Sequence, residues 1–202
     1  MLSALVLIAT QQATPTANNM RKIKQLLDYA ATHPDVAVTY HSRNMVLAAH
    51  SDASYLSDTK ARSRAGGHFF MASDIPVPEN NGAVDTVAQI IKTVMSSAAE
   101  AELGALYINC REAIPERHLI EAMGHNQPPT PMQTNNSTAL GVVTNKIQPK
   151  RTKAMDMRFH WLRYRANHRQ FRTYWRAGPT NKGDYVTKIM QLRITEPPEQ
   201  NI

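Results

Sequence analysis

The chain has 202 residues, 42% hydrophobic and 19% charged, with a net charge of +7. That length holds one domain of about 150 residues plus extensions, and this composition excludes full disorder. The basic balance suits a polyanionic partner such as nucleic acid. Cys110 is the only cysteine, which excludes an internal disulfide and a cysteine-based zinc site and suits a reducing compartment.

The N-terminal run MLSALVLIAT lacks a basic leader and is far shorter than the roughly 20 apolar residues that span a bilayer. An intracellular protein, cytoplasmic or nuclear and neither secreted nor membrane-bound, is expected. Residues 11–20 are polar and turn-prone. Asn19 is placed to cap a helix over about 19–33, with Ile23, Leu26 and Leu27 as its apolar stripe and Pro34 as its end. VAVTY and NMVLAAHSDASY read as strands, and alternation puts Val46, Ala48, His50 and Asp52 on one face. SDTKARSRAGG reads as a long polar loop punctuated by Gly66 and Gly67, and HFFMAS as the returning strand.

After a Pro-rich turn, VAQIIKTVM reads as a third strand. Ser96 or Ser97 then caps a helix, AAEAELGALYINCREA, which Pro115 is expected to break, and a shorter turn or helix ends at Gly124. PMQT is a fourth strand and NSTALGVVTN a short helix. QPKRTK is a basic loop, MDMRFHWLRYRANHR a helix and QFRTYWRAG a fifth strand. NKGDYVTKIM forms a last helix, and the tail 193–202 is expected to be disordered. This order predicts a mixed α/β sheet and excludes a repeat or an all-parallel sheet.

Acidic side chains are scarce, so their positions carry information. Asp52 interrupts an apolar strand, where a charge is costly unless solvated at a strand end, paired or bound to metal. Glu100 and Glu102 both lie early in the long helix, where either complements the dipole, and periodicity does not choose between them. Asp184 sits at the start of the last helix and serves equally as a cap.

In order along the chain, SDASY, RSRAGGHFF, SSAAEAELGAL, QTNNSTALGVV, RTKAMDMRFHWLR and GPTNKGDYVTK resemble the ribonuclease H domain of copia-type retrotransposon polyproteins. The segment QQATPTANNMRKIKQLLDYAATHPD resembles the connection from the preceding reverse transcriptase. The resemblance implies residues 1–42 as that connection and 43–192 as a ribonuclease H-like domain, a five-stranded mixed sheet flanked by helices. It implies hydrolysis of RNA in RNA/DNA hybrids with two Mg²⁺ ions roughly 4 Å apart, Mn²⁺ being able to replace them, and no small-molecule cofactor. It also implies an upstream reverse-transcriptase domain as partner in a full-length element.

Carried over residue by residue, the resemblance makes Asp52, Glu102 and Asp184 metal-binding acids. Glu102 is preferred over Glu100 because Leu-Gly-Ala-Leu follows it. At the exit of the fourth strand the family has Asp-Asn, whereas this chain has Asn135-Asn136. Asn135 therefore stands where a catalytic Asp would. A neutral amide removes one charge and one ligating oxygen from a site for a hard cation. Loss of one charge-stabilising group typically costs about 10²–10³ in rate. A crippled nuclease is expected, with a non-catalytic nucleic-acid-binding remnant or a structural connector as alternatives. A start inside the connecting segment fits a remnant as well.

Between Lys150 and Arg172 there are eight Lys/Arg and one acid, with aromatic residues interleaved. A solvated helix face is one reading; with the resemblance, a surface that follows the phosphates of a hybrid is the other, and Lys150, Arg151 and Lys153 are its first candidates. His160 and His168 read as structural, and His50 as packing beside Asp52.

Overall fold

The computed structural model describes residues 2–144, 146 and 156–187. Its elements are α1 (Leu2–Ala9), α2 (Ala17–Thr32), β1 (Val46–Asp58), β2 (Arg62–Ala72), β3 (Ala83–Ile91), α3 (Ala98–Ala122), β4 (Thr130–Thr134), α4 (Ser137–Val143), α5 (Asp156–Asn167), β5 (Phe171–Trp175) and α6 (Asp184–Thr187). Lys150, Arg151, Lys153 and the tail 193–202 lie outside the described residues. The chain divides into a terminal unit that includes α1 and α2 and a larger unit over Ala37–Lys188.

In the terminal unit, α2 begins two residues before the expected cap. Thr16 is the N-cap, and its hydroxyl accepts from the Asn19 backbone N–H. Asn19 thus sits at the third helical position, its side-chain oxygen accepting from the Thr16 hydroxyl at 2.9 Å.

The larger unit is built on a five-stranded mixed sheet in the order β3-β2-β1-β4-β5. β1, β2 and β3 form an antiparallel meander, and β4 and β5 add in parallel to the other side of β1. The core lies between one face of the sheet and α3, α4 and α5. Leu47, Ala49 and Phe69 point into it and meet Leu106, Met132, Val142 and Leu162. Alternation sends Ala48, Phe70 and Ala72 to the opposite face.

Four local expectations are corrected. VAVTY is not a strand: Val38 and Tyr40 are exposed, and side chains tie the segment beside β3 in place of a ladder. The Tyr40 hydroxyl donates to the Ala83 carbonyl at 2.8 Å, and Asn81 Oδ1 accepts from the His41 backbone at 2.8 Å. The loop between β1 and β2 is short, because RSRAGG is itself strand. It turns through Thr59–Ala61, with Lys60 and Ala61 at positive φ.

Pro115 does not break α3, which runs on to Ala122. A helical proline frees the carbonyl four residues back, here that of Arg111. Both Pro115 and Arg111 are exposed, so the break in the ladder falls on the solvent side of the helix while Ala113 and Ile120 stay buried on the inner side. The third strand begins earlier than expected, at Ala83, and ends at Ile91.

Candidate active site

β1 and β4 run parallel, so both deliver their C-terminal ends to the same edge of the sheet. Asp52 lies on β1 and Asn135 follows β4 directly. Asp52 is 3% exposed. An ionised carboxylate at that depth requires donors around it. Asn135 Nδ2 donates to Asp52 Oδ1 at 3.1 Å, and the Thr187 hydroxyl donates to Asp52 Oδ2. A carboxylate only accepts, so the amide must turn its NH₂ and not its oxygen toward Asp52.

Two glycines bring α6 onto this position. Gly66 pairs with Asp52 across β1 and β2. A Cβ on Gly66 would lie 2.5 Å from Thr187 Cγ2 and 2.7 Å from the Gly183 carbonyl oxygen. A Cβ on Gly183 would come within 3.1 Å of Asp52 Cβ. The loop before α6 is pinned by buried Asn181, whose Nδ2 donates to the Ser51 carbonyl at 2.7 Å and whose Oδ1 accepts from the Gly183 backbone at 3.0 Å. Gly67 makes the corresponding room on the other face for buried Asn109, which donates to Ser51 Oγ and to the Gly66 carbonyl. The two glycines read in sequence as loop punctuation are strand residues that permit close approach from both sides.

Helix α3 separates the two glutamates that periodicity could not. Ser97 is its N-cap, accepting from the Glu100 backbone at 3.2 Å. Glu100 turns back to accept from the Ser96 backbone at 2.6 Å and from the Ser96 hydroxyl. It is the capping acid of the helix start. Glu102 instead lies toward β1. Burial, then the Asp52 charge and, more weakly, that of Asp184 push its carboxyl up to about 8, against a hydrogen bond from the Ala53 backbone that favours ionisation. Glu102 Oε2 is buried without a hydrogen-bond partner. Asn135 thus bonds Asp52, and Asp52 and Asp184 both lie near enough to act electrostatically on Glu102, from β1, α3, α6 and the turn after β4.

His50, one pleat before Asp52, packs edge-on against Phe70 with ring centres 5.0 Å apart. Its Nδ1 accepts from the Lys182 backbone at 3.1 Å. Burial, then the positive charges of its surroundings, lower its pKa to about 3. It is a neutral packing residue at physiological pH.

Mg²⁺ takes hard, anionic oxygens in near-octahedral geometry. Among the described residues no group of three or more His, Cys, Asp or Glu side chains is arranged to hold a metal ion. Both oxygens of Asp52 already accept from this chain's own donors, and Asn135 turns N–H groups, not an anionic oxygen, toward Asp52. The donor set in this arrangement does not fit a two-metal centre. Thr187, Asn181 and Gly183 were not singled out from sequence. Their only signal there is the polar spacing around Asp184.

No family model matches the chain. It is 22% identical over 176 residues to the retrovirus-related Pol polyprotein from transposon TNT 1-94 of Nicotiana tabacum, covering 87% of this chain and 13% of that protein. The chain thus spans about an eighth of the relative it matches. Among solved structures it resembles LC11-RNase H1, recovered from compost, with a TM-score of 0.53 at 9% identity over 70% of this chain and 92% of that one. A crystal structure of the same enzyme with an RNA/DNA hybrid matches with a TM-score of 0.50 at 9% identity, covering 67% and 88%. The N-terminal RNase H domain of Rv2228c from Mycobacterium tuberculosis matches with a TM-score of 0.51 at 12% identity, covering 71% and 91%. Among the described residues no helix is long and apolar enough to cross a membrane. The chain carries a ribonuclease H-like domain related to the Pol polyprotein of copia-type retrotransposons.

Proposed function

We propose that this domain engages RNA/DNA hybrids at the Asp52, Glu102, Asn135 and Asp184 centre and hydrolyses them poorly or not at all. The observation that carries this reading is the hydrogen bond from Asn135 Nδ2 to Asp52 Oδ1. An acid at position 135 would add a second anion beside Asp52 and call for a Mg²⁺ or Mn²⁺ ion between them. The amide neutralises that need with a hydrogen bond and so removes the reason for the ion to bind.

Lys150, Arg151 and Lys153 belong to the same proposal as phosphate contacts, and an upstream reverse transcriptase would supply the hybrid in a full-length element. The second reading, a non-catalytic nucleic-acid-binding domain, is favoured by Thr187, whose hydroxyl occupies the other oxygen of Asp52. Titration of a fluorescent RNA/DNA hybrid with the full chain, in Mg²⁺ and in EDTA, tests the shared part of both readings. Binding in both solutions is expected; loss of binding in both would overturn it.

A further inference from the structure

Two exposed aromatic rings stand beside the residues of this centre. Trp175, the last residue of β5, is 50% exposed, and its indole N–H donates to the Asn135 carbonyl at 2.9 Å. That bond fixes the ring next to the position where the acid is missing. Tyr185 directly follows Asp184 and is 55% exposed, with the Lys182 ammonium 5.1 Å from its ring centre. Arg176 follows Trp175, and both Arg176 and Lys182 lie near enough to act electrostatically on His50. An exposed ring held by a hydrogen bond loses little freedom on binding, so it is preorganised to stack.

The charge at this surface points the same way. Asn135 contributes none, and both oxygens of Asp52 are already hydrogen-bonded within the chain. A phosphate therefore meets Arg176 and Lys182 beside a reduced set of acids. A duplex keeps its bases stacked inside and cannot offer them to Trp175 or Tyr185. A single strand can.

Resting on the nucleic-acid-binding reading above, we propose that this surface binds single-stranded RNA or DNA without a metal ion, stacking bases on Trp175 and Tyr185 while Arg176 and Lys182 hold the backbone. The experiment is fluorescence anisotropy with labelled 15-nucleotide oligo-U and oligo-dT, and separately with an RNA/DNA hybrid, all in EDTA. The full chain is compared with Trp175→Ala, Tyr185→Ala and Trp175→Phe, with circular dichroism as the check on folding.

The single strands are expected to bind. Each alanine variant should weaken them about 5- to 150-fold, the worth of one base on one aromatic ring. Trp175→Phe should recover part of the loss, because it keeps a ring, and not all of it, because it lacks the indole N–H that holds Trp175 to the Asn135 carbonyl. Single strands that bind equally well to wild type and both alanine variants overturn the proposal. So does a chain that binds the hybrid but not the single strands, which leaves the hybrid reading standing. A chain that binds none of the three ligands overturns both.

Discussion

Asn135 donates its side-chain amide to Asp52 at 3.1 Å, across 83 positions of sequence and from the residue that follows β4, the strand next to β1. The bond supplies a neutral donor where a second carboxylate would create repulsion. Asn135→Asp should therefore destabilise the metal-free protein and make its stability depend on divalent ions. In EDTA its Tm should fall by several degrees below wild type, and millimolar Mg²⁺ should restore it while leaving wild type unchanged. A Mg²⁺ shift equal in both proteins would contradict this account of the amide.

Glu102 gives the alkaline side of the stability profile. Its folded pKa of about 8 lies above the ordinary 4.5, so between those values the folded chain holds a proton that the unfolded chain has released. That contribution is complete below pH 4.5 and is lost as pH rises through about 8. Glu116 is raised to about 8 as well, by burial first and then by Asp85, so it adds to the same decline. His50 works in the opposite direction. Held neutral to about 3, it costs stability as pH falls below 6.5, because only the unfolded chain takes up the proton. Denaturant midpoints measured from pH 5 to 9 should fall between pH 5 and about 8 in wild type and level off above that. That decline should be absent in the Glu102→Gln, Glu116→Gln double variant, with the acid-side loss intact.

Gly66 has no room for a methyl group. A Cβ there would strike Thr187 and the Gly183 carbonyl. Gly66→Ala should push α6 away from β2 and cost about 1–3 kcal/mol, the usual range for overpacking. Hydrogen exchange should show lost protection at Val186 and Thr187, with α4 and β4 unaffected. An unchanged exchange pattern would mean that α6 does not rest on this strand.

The basic stretch carries a separate expectation. If Lys150, Arg151 and Lys153 contact phosphates, replacing all three by Gln should reduce the log–log salt slope of hybrid binding by about 2–3, near 0.9 per contact. An unchanged slope would remove these residues from the binding surface.

Much of the sheet was legible because its signals are local. The apolar runs of β1, β4 and β5 alternate or stand between turn residues, and the meander followed by parallel additions is read from their order. What escaped depends on tertiary contact. The glycine pair at positions 66 and 67 signals a loop until α6 and Asn109 are placed on either side of it. Pro115 signals a helix end until the break in the ladder is placed on the solvent side of the helix.

In the site, Asp52 stood out as a charge in an apolar strand. Glu100 and Glu102 were inseparable by spacing, because the Ser96 contacts that mark Glu100 as a cap are visible only in three dimensions. Asn135 drew notice only through the family resemblance, since nothing in a lone asparagine records a missing charge. Thr187 and Trp175 reach the centre through side-chain bonds that no periodicity encodes.

The proposed function turns on one amide standing in place of one carboxylate. The most direct test is Mg²⁺-dependent cleavage of an end-labelled RNA/DNA hybrid by the wild-type chain and by Asn135→Asp, side by side. The substituted chain should cleave at least about 10²-fold faster than wild type. Equal cleavage by both chains would contradict the proposed function, because Asn135 would then be tolerated at a working centre.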